Sequence, residues 1–490
     1  MNSYIGIDLG TSSVKLLLVS ADGKIINSVS RDYPIAYPRN GWSEQNPQDW
    51  LDATLRALDA LTQGYDKSQI KGISFGGQMH GLVVLDENDN VIRPAILWND
   101  GRTQEQSDYL NEVIGKETLS KYTANISFAG FTAPKILWLE QNESDNFAKI
   151  AKIMLPKDYL AYKLSGVHAT DYSDASGMLL LDVKNRKWSD EMIEICHVKR
   201  EWLPTLYESY EPIGTLLPQM ARVTGLSESV VICAGAGDNA AAAVGTGTVE
   251  DGSCNISLGT SGTVFISKNE FSVDSANALH SFCHASGAYH LMGCILSAAS
   301  CNKWWMENVL ESDDYAGEQK GLYKYLGKND VYFLPYLMGE RSPHNDVDAR
   351  GAFIGMRPNT TREQMTLAVM EGVTFALRDC IEIAKKSGVC IEKSLICGGG
   401  AKNEIWRIVC ANALGIEICR PEIEEGPAYG GAILAMVGCG EYDSVESATR
   451  ALIKIKDSIL PSPDLVEAYE KKYQAFKVLY PALKDAYKLI

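Results

Sequence analysis

The sequence Asp8-Leu9-Gly10-Thr11-Ser12 lies near the start of the chain, and Ser257-Leu258-Gly259-Thr260-Ser261 repeats its pattern in the second half. Each copy stands between two apolar runs of strand length, which are residues 4–7 and 14–19 for the first copy and residues 254–256 and 263–266 for the second. Two strands joined by a tight turn predict a β-hairpin whose tip offers backbone N–H groups and hydroxyls to an anion. The repeat therefore predicts a duplicated scaffold that grips a phosphate chain from two sides.

The length and charge of the chain limit its architecture and its partners. A chain of 490 residues is too long for a single hydrophobic core. We expect two domains, 1–247 and 248–490, because a polar, glycine-rich stretch at residues 245–252 separates the two halves. The net charge of −16 disfavours nucleic acid and anionic membranes as main partners, since both would require a basic face.

The first residues and the cysteines indicate the compartment. The chain starts directly with an apolar strand rather than a basic-then-apolar leader, and no apolar run reaches the length of a membrane span. These features predict a cytoplasmic protein that does not enter a membrane. The twelve cysteines are scattered singly through apolar segments, which predicts reduced, buried thiols rather than disulfides.

One group of side chains could bind a transition metal: His280, Cys283, His284 and His290. Residues 279–285 alternate in polarity like a strand, and that alternation sends neighbouring side chains to opposite faces. The pattern therefore favours a β-hairpin with polar residues on one side over a zinc site.

Strand and helix patterns alternate along the chain, which is typical of the α/β class with mixed sheets. Residues 1–35 predict a three-stranded meander, and residues 47–61 predict a helix capped by Asn46. We expect residues 71–75 to form a strand and residues 83–85 to continue the same sheet. Further helical patterns cover residues 104–142, 297–310, 361–387 and 403–414.

The end of the first strand indicates which phosphate chemistry the chain performs. The chain has no Gly-x-x-x-x-Gly-Lys-Ser/Thr segment and no Gly-x-Gly-x-x-Gly after its first strand, so it is neither a P-loop enzyme nor a dinucleotide-binding fold. Instead, Asp8 ends that strand. A carboxylate beside a phosphate-binding turn would repel the phosphate unless a divalent cation lay between them, so Asp8 predicts an Mg²⁺ site. The alternative is that Asp8 only helps to form the turn.

Two later turns are candidates for the remaining chemistry. Asp238 follows an apolar strand and a Gly-Ala-Gly turn and precedes a run of alanines. It is either a helix cap or the acceptor of a hydroxyl proton during phosphoryl transfer. Gly398-Gly399-Gly400-Ala401 is a strand-to-helix turn that either opens a helix or lets the backbone lie against a base or a ribose.

Two long motifs of the chain resemble the signatures of the FGGY carbohydrate kinases. The first reads Gly130-Phe131-Thr132-Ala133-Pro134-Lys135-Ile136-Leu137-Trp138-Leu139-Glu140-Gln141-Asn142. The second begins at Gly351-Ala352-Phe353-Ile354-Gly355-Met356, continues through Gln364-Met365 and ends at Ala368-Val369-Met370-Glu371. The resemblance covers nearly the whole chain. It implies a two-domain α/β fold of the actin-like, ribonuclease H-like type, with a catalytic cleft between the domains.

The resemblance also implies an ATP-dependent kinase with Mg²⁺ and assigns roles to single residues. Asp238 would be the general base, and Asp8 would hold Mg²⁺ through water. The sugar would contact Met79, His80, Asn239 and Trp98. The phosphates would lie against Thr11, Ser12, Lys15, Gly259, Thr260 and Ser261, and the adenosine against Gly399, Gly400, Ala401 and Asn403. For Lys15, a strand position also allows a side chain that faces solvent. No role is assigned to residues 171–176.

The acceptor implied by the resemblance is D-xylulose, phosphorylated at its C5 hydroxyl. The segments Gly77-Gln78-Met79-His80-Gly81 and residues 93–102 look most like those of family members that act on xylulose. Ribulose, another ketose or a sugar acid such as gluconate is the alternative acceptor, whereas Met79-His80 in place of an Arg-Glu pair disfavours glycerol. A more distant alternative is an actin-like ATPase or sugar sensor without kinase activity. A homodimer is expected by resemblance alone.

Overall fold

The computed structural model describes all 490 residues, and its regular elements alternate between strands and helices. The strands are β1 Ser3–Leu9, β2 Ser13–Ser20, β3 Ile25–Asp32, β4 Glu44–Gln45, β5 Ile70–Gly77, β6 Val83–Leu85, β7 Ala95–Ile96, β8 Lys152–Met154, β9 Ala169–Asp171, β10 Leu181–Asp182, β11 Lys187–Trp188, β12 Thr205–Tyr207, β13 Pro212–Thr215, β14 Val231–Cys233, β15 Ala236–Gly237, β16 Cys254–Leu258, β17 Gly262–Lys268, β18 His280–Cys283, β19 Tyr289–Ile295, β20 Tyr332–Leu334, β21 Ala352–Ile354, β22 Lys393–Cys397, β23 Glu417–Pro421 and β24 Ile455–Ile459.

The α-helices connect and cover these strands. They are α1 Pro47–Thr62, α2 Gln104–Asp108, α3 Lys116–Thr123, α4 Thr132–Asn142, α5 Ser144–Phe147, α6 Pro156–Ser165, α7 Tyr172–Ala175, α8 Asp190–Ile195, α9 Pro218–Thr224, α10 Asp238–Thr246, α11 Ala299–Trp304, α12 Tyr315–Gln319, α13 Arg362–Lys386, α14 Glu404–Leu414, α15 Gly426–Gly438, α16 Val445–Leu452, α17 Pro463–Phe476 and α18 Leu479–Tyr487. None of them combines the length and apolar composition that crossing a membrane requires.

Two seven-stranded sheets share one construction. In the first sheet the order is β13-β14-β5-β1-β2-β3, with β15 also beside β5. In the second sheet the order is β18-β19-β17-β16-β22-β23-β24. Each sheet begins with an antiparallel meander, β1-β2-β3 or β16-β17-β19, and then adds parallel strands, β5 and β14 or β22 and β23. The expected duplication is therefore confirmed.

Each sheet contributes to its own hydrophobic core. The first core is centred on β1, β2 and β5 and includes Trp50 and Leu58 of α1. The second core is centred on β16, β17 and the long helix α13, with Trp406 of α14 fully buried in it. Asn46 accepts a hydrogen bond from the Gln48 amide and caps α1, as the sequence predicts.

Helix α15 comes late in the chain but packs on the first sheet. Ala428, Ala432 and Ala435 of this helix lie in one cluster with Tyr4 of β1 and Ala241 of α10. A Cβ on Gly6 would lie 1.8 Å from the Ala428 carbonyl oxygen, so β1 and α15 touch through their backbones. The domain boundary at residues 247 and 248 stays a prediction.

Two expected elements differ from the structure. Residues 83–85 pair with β8 in a separate two-stranded sheet instead of continuing the main sheet, because a turn follows β5 and redirects the chain. The helical pattern at 104–142 is interrupted at residues 124–131, and Ala124 adopts a left-handed conformation that ends α3. Periodicity alone does not reveal such breaks, since apolar spacing persists through the loop.

The group of His280, Cys283, His284 and His290 lies on or beside a β-hairpin, as expected. Strands β18 and β19 pair with Phe282 opposite His290. His284 Nε2 donates a hydrogen bond to the Thr248 carbonyl oxygen, and the His290 ring stacks on Phe265 with 4.0 Å between the ring centres. All twelve cysteines are free, and most of them are buried.

Candidate active site

Two carboxylates lie together at one edge of the first sheet. Strands β1, β5 and β15 run parallel, with Gly76 of β5 opposite both Asp8 and Ala236. Asp238 follows β15 directly and is the first residue of α10. Because parallel strands end at a common edge, Asp8 and Asp238 face the same space. This space lies between the two lobes, by which we mean the parts of the molecule built around the first and the second seven-stranded sheet.

That space is a cavity of about 340 Å³ bounded by both halves of the chain. The first half contributes Asp8, Lys15, Asp238 and Asn239, all of which the sequence analysis singles out. The second half contributes Ser257, Cys397 and Gly398, which belong to or adjoin the two predicted ligand turns, and the segment 424–427. The structure thus brings the candidate base, the candidate metal ligand and part of the predicted phosphate machinery around one cavity.

Asp238 keeps one carboxylate oxygen available to a ligand. Its Oδ1 accepts hydrogen bonds from the Asn239 backbone amide at 2.7 Å and from Asn239 Nδ2 at 2.8 Å, whereas Oδ2 has no partner in the chain. Burial raises the pKa of Asp238 to about 6, against the opposing effect of the Asn239 hydrogen bonds. A carboxylate with such a pKa can accept a proton at neutral pH.

The pKa of Asp8 is raised for a similar reason. Burial raises its pKa to about 7, and the neighbouring negative charge of Asp238 adds to this effect. Lys15 lies opposite Asp8 on β2 and forms an ion pair with Glu425 at the mouth of the cavity. The side chain of Lys15 therefore lines the cavity instead of lying on a solvent-facing side of the sheet.

The two repeated loops are the tips of the hairpins β1-β2 and β16-β17, and both turn their carbonyl oxygens inward. In the first loop the Gly10 and Thr11 carbonyls accept hydrogen bonds from Tyr33 Oη and Gln45 Nε2. In the second loop the Gly259 and Thr260 carbonyls accept hydrogen bonds from the start of α11. The backbone amides of Thr11, Ser12, Gly259, Thr260 and Ser261 donate to no acceptor in the chain. Unpaired N–H groups at a hairpin tip suit the binding of an anion.

The triple-glycine turn packs directly against the second loop. Gly398 has φ +87°, and a Cβ there would lie 2.7 Å from the Leu258 carbonyl carbon and oxygen. Gly399 is exposed, and a Cβ on it would have no atom within 4 Å, so its face is open to a ligand. Gly400 and Ala401 are buried. Asn403 caps α14 through the Trp406 amide and donates to Gln319, so both ends of its side chain already have partners.

Met79 and His80 lie beside the Asp238 turn. A Cβ on Gly237 would lie 2.9 Å from the Met79 sulfur, and a Cβ on Gly177 would lie 2.6 Å from the His80 ring. His80 Nδ1 donates to the Gly177 carbonyl at 2.7 Å, which leaves Nε2 as the free acceptor. Burial lowers the pKa of His80 to about 3, so the ring is neutral at pH 7.

A buried lysine of the first FGGY-like motif supports His80. Lys135 Nζ donates to the His80 carbonyl at 2.7 Å and to the Gly130 carbonyl at 2.6 Å. Thr132 Oγ1 donates to the same His80 carbonyl. His80 has φ +67°, an uncommon conformation for a residue with a Cβ. Lys135 and Thr132 therefore hold His80 in a strained backbone conformation. His80 belongs to the candidate sugar pocket, which we define by Met79, His80, Asn239 and Trp98.

Residues 171–176 lie directly below the Asp238 turn. Ser173 Oγ accepts a hydrogen bond from the Gly237 amide at 3.1 Å and donates to Asp171. Lys157, fully buried, forms ion pairs with Asp158, Asp171 and Asp174. This network anchors the peptide that precedes Asp238, a role that the sequence alone does not reveal because its members come from separate elements.

Trp98 lies apart from the cavity that contains Asp238 and lines a second cavity of about 400 Å³. Its indole N–H donates to Thr11 Oγ1 at 3.0 Å, and 40% of the residue is exposed. Trp98 thus contacts the first repeated loop, residues 8–12, and also lines the second cavity. The other walls of this second cavity include residues 126–130 of the first half and 340–347 of the second.

The residues present fit both expected cofactors. The five unpaired amides at the loop tips suit the phosphates of a nucleotide, and the open face at Gly399 suits its adenosine. Asp8 is a single oxygen ligand in a strongly negative cavity, and Mg²⁺ is commonly held by one or two carboxylates together with waters and phosphates.

The segment Glu424-Glu425-Gly426-Pro427 closes the cavity from the second half, and no role for this segment is predicted from the sequence. Its sequence signal is the acidic pair followed by Gly426 and then Pro427 at the first turn of a helix. That signal predicts a helix start but not where the helix packs. The burial of Lys135 and Lys157 is also not predicted from the sequence, since a charged residue in an amphipathic segment usually faces solvent.

Comparison with known proteins agrees with this arrangement. Residues 3–245 match the N-terminal domain, and residues 254–439 the C-terminal domain, of the FGGY family of carbohydrate kinases. The chain is 39% identical to the xylulose kinase of Escherichia coli over 98% of this chain and 99% of that protein. The crystal structure of a xyloylose kinase from Brucella ovis has a TM-score of 0.94 at 38% identity, covering 99% of this chain and 100% of that one.

A second similar structure is that of a gluconate kinase from Lactobacillus acidophilus, with a TM-score of 0.95 at 25% identity and 99% coverage of both chains. The family matches cover well over half of the chain, and they agree with the two duplicated sheets and the carboxylates between them. This protein therefore belongs to the FGGY family of carbohydrate kinases.

Proposed function

We propose that the protein transfers the γ-phosphoryl group of ATP to the C5 hydroxyl of D-xylulose and forms D-xylulose 5-phosphate. The observation that carries this proposal is the free Oδ2 of Asp238 in a cavity that Asp8 and Ser257 also line, because each of these two residues precedes a loop with unpaired amides. The high identity to a xylulose kinase over nearly the full length of both chains supports the choice of acceptor.

Asp238 acts as the general base. The C5 hydroxyl oxygen attacks the γ-phosphorus, its proton passes to the Asp238 carboxylate, and the bond from the γ-phosphorus to the β,γ-bridging oxygen breaks to release ADP. Asn239 keeps Oδ1 occupied, so the proton is accepted at Oδ2. The Ser173–Asp171–Lys157 network holds the preceding turn in place.

The phosphates of ATP bind to the loop-tip amides of Thr11, Ser12, Gly259, Thr260 and Ser261, and Lys15 adds a positive charge nearby. The adenosine lies against Gly399 and the adjoining Gly400-Ala401 turn. Asp8 would hold Mg²⁺ through water, and the bound ion would supply positive charge against the phosphates. Asn403 supports the adenosine side indirectly, because its own polar atoms cap α14 and contact Gln319.

The sugar binds beside Met79, His80, Asn239 and Trp98. The neutral His80 ring accepts a hydrogen bond from a sugar hydroxyl at Nε2, because Nδ1 is committed to Gly177. Movement of the two lobes toward each other brings hydroxyl and phosphorus into line and excludes water, which would otherwise compete as acceptor. The expected homodimer stays a prediction.

The decisive experiment identifies the product. Purified protein is incubated with Mg-ATP and, separately, with D-xylulose, ribulose and gluconate, and the sugar products are identified by mass spectrometry while ADP release is measured. We expect xylulose to give the highest kcat/KM and a sugar monophosphate. A higher kcat/KM for ribulose or gluconate would reject the proposed acceptor but keep the kinase reaction.

Gluconate is the second candidate acceptor, favoured by the TM-score of 0.95 to a gluconate kinase structure. Its lower identity, 25% against 38% for the xyloylose kinase structure, makes it the weaker candidate. ATP hydrolysis that does not depend on any sugar, with no sugar phosphate formed, would instead support a non-kinase ATPase.

A further inference from the structure

Arg341 belongs to the second lobe but faces the first. It lies in the connection between β20 and β21 and lines the cavity of about 400 Å³ that Trp98 also lines. The opposite wall of that cavity comes from residues 98–130 of the first half. The cavity is therefore an inter-lobe space, and a ligand within it would touch both lobes.

The guanidinium of Arg341 has no carboxylate partner. The other well-buried arginines are paired: Arg93 and Arg102 with Glu44, and Arg407 with Asp457. Glu340 precedes Arg341, but its Oε1 accepts the Leu296 and Arg341 backbone amides at 2.9 and 2.8 Å and forms no ion pair with the Arg341 guanidinium. A partly buried guanidinium without a carboxylate partner is costly to keep unless a ligand supplies further acceptors.

The surroundings of Arg341 are those of the candidate sugar pocket. Its guanidinium carbon lies 5.3 Å from the centre of the Phe128 ring, and Phe128 packs against Phe131, on which His80 stacks. The positive charge of Arg341 also contributes to the lowered pKa values of His80 and His280. Arg341 thus lies within electrostatic reach of the residue proposed to accept a sugar hydroxyl.

We propose that Arg341 is a substrate-binding residue that donates hydrogen bonds from the second lobe to oxygen atoms of the acceptor sugar. This inference rests on the proposed function. A guanidinium has five N–H donors and no acceptor, so it selects the carbonyl and hydroxyl oxygens of a ketose over the apolar parts of a ligand. Since the rest of the sugar pocket belongs to the first lobe, a sugar held by Arg341 links the two lobes.

The same chemistry makes Arg341 a determinant of acceptor choice. A guanidinium donates two parallel hydrogen bonds to a carboxylate, and both groups are charged. The oxygens of a ketose are neutral, so the hydrogen bonds that they accept from a guanidinium are weaker. Any activity toward a sugar acid should therefore depend on Arg341 more strongly than the activity toward xylulose does.

The test compares R341M and R341K with a matched control, R357M. Arg357 is an exposed arginine of the same lobe, 3.8 Å from Asp330. For the sugar that the wild-type protein phosphorylates best, we expect R341M to raise the KM by about 10- to 100-fold, because a hydrogen bond from a charged donor is lost. The KM for ATP should change less than about twofold, and R341K should recover part of the sugar affinity.

Folding is checked by thermal melting of each variant, and sugar binding is measured separately by calorimetry. If R341M unfolds, R341K remains informative, because lysine keeps the positive charge but lacks the planar set of donors of a guanidinium. We expect the sugar KM to increase in R341K as well. A sugar KM within twofold of wild type in both R341M and R341K would overturn the inference. Its failure differs from failure of the proposed function, which would appear as a wild-type protein that does not prefer xylulose.

Discussion

At the scale of single residues, the proposed chemistry depends on two acidic side chains that the fold brings into one cavity. Asp8 and Asp238 are separated by most of the first half of the chain, and burial raises the pKa of both carboxyl groups. For Asp238 the larger cause is burial, and for Asp8 it is burial followed by the charge of Asp238. Both residues are recognisable in the sequence because each follows a strand and adjoins a glycine-containing turn.

The first prediction concerns proton transfer to Asp238. Asp238→Asn should reduce kcat by about 10²- to 10⁴-fold, the usual contribution of a general base, while sugar binding persists. In the wild type, kcat/KM should fall below a pH of about 6, because Asp238 must be deprotonated to act as a base. Steady-state rates from pH 5 to 8 test this prediction. A flat profile across that range, or near-normal turnover of D238N, would show that Asp238 is not the base.

The second prediction concerns the stability cost of Asp8. The folded-state pKa of about 7 exceeds the ordinary value of 3.8, so the folded protein binds the Asp8 proton more tightly than the unfolded chain does. The free energy of unfolding therefore decreases as pH rises from about 4 to 7. Without nucleotide, D8N should melt at a higher temperature than wild type at pH 8, and the difference should shrink toward pH 4.

Asp485→Asn, on an exposed side chain, is the control for Asp8 and should leave the difference in melting temperature near zero at both pH values. A D8N protein that melts below wild type at pH 8 would contradict the assigned cost of the charged carboxylate.

The third prediction concerns His80. Removing the ring in His80→Ala deletes the Nε2 acceptor and the stacking on Phe131, so the sugar KM should rise by about tenfold or more while the ATP KM stays nearly constant. Lys135→Met should shift the sugar KM in the same direction, because it removes the donor that holds the His80 carbonyl. Unchanged sugar preference in H80A would place the sugar elsewhere.

At the scale of elements, the hairpin tips and a glycine turn form the surface that we propose for the nucleotide. The turn at Gly398-Gly399-Gly400 lies against the second hairpin tip, so two elements that are distant in sequence form one surface. Sequence analysis predicts the meander, the hairpins and helices such as α1, α13 and α14 close to their observed bounds, because their signals are local. It is wrong about residues 83–85 because strand propensity does not specify which partner strand is adjacent.

The fourth prediction separates packing from binding at this turn. Gly398→Ala places a Cβ 2.7 Å from the Leu258 carbonyl in a left-handed conformation, so it should lower the free energy of unfolding by about 2 kcal/mol. Gly399→Ala meets no atom within 4 Å and should leave that free energy almost unchanged. If adenosine lies against Gly399, G399A should still raise the ATP KM. Urea denaturation and ATP kinetics measure the two effects, and equal destabilisation of both variants would contradict the packing.

At the scale of the whole molecule, helices α10 and α15, which are distant in sequence, pack against each other beside the first sheet. A Cβ on Gly245 would lie 2.1 Å from the Gly426 carbonyl oxygen, and a Cβ on Gly430 would lie 1.9 Å from the Ala241 carbonyl oxygen. The two helices therefore cross with their backbones in contact, which only small residues allow. This contact fixes Glu425 and the start of α15 beside Asp8 and Lys15.

The fifth prediction tests this crossing. Gly430→Ala should reduce the free energy of unfolding by about 3 kcal/mol, because one helix must move away from the other to admit the methyl group. Gly440→Ala is the control, because Gly440 also lies near the end of α15 but a Cβ there would meet no atom within 4 Å. Only the positive φ of Gly440 opposes that substitution, and it should reduce the free energy of unfolding by about 1 kcal/mol. Denaturant unfolding measures both values, and equal losses would argue against a tight crossing.

The amino-acid sequence by itself determined the α/β class, the two duplicated hairpins and the two acidic residues at strand ends. These features depend on periodicity, turn residues and hydrogen bonds within a few positions of each other. Only the tertiary structure decided that α15 returns to the first sheet, that Lys135 and Lys157 are buried beneath the site, and that Arg341 faces the opposite lobe. Those placements arise from packing between residues distant along the chain, where many arrangements satisfy the same local pattern and complementary shape selects one.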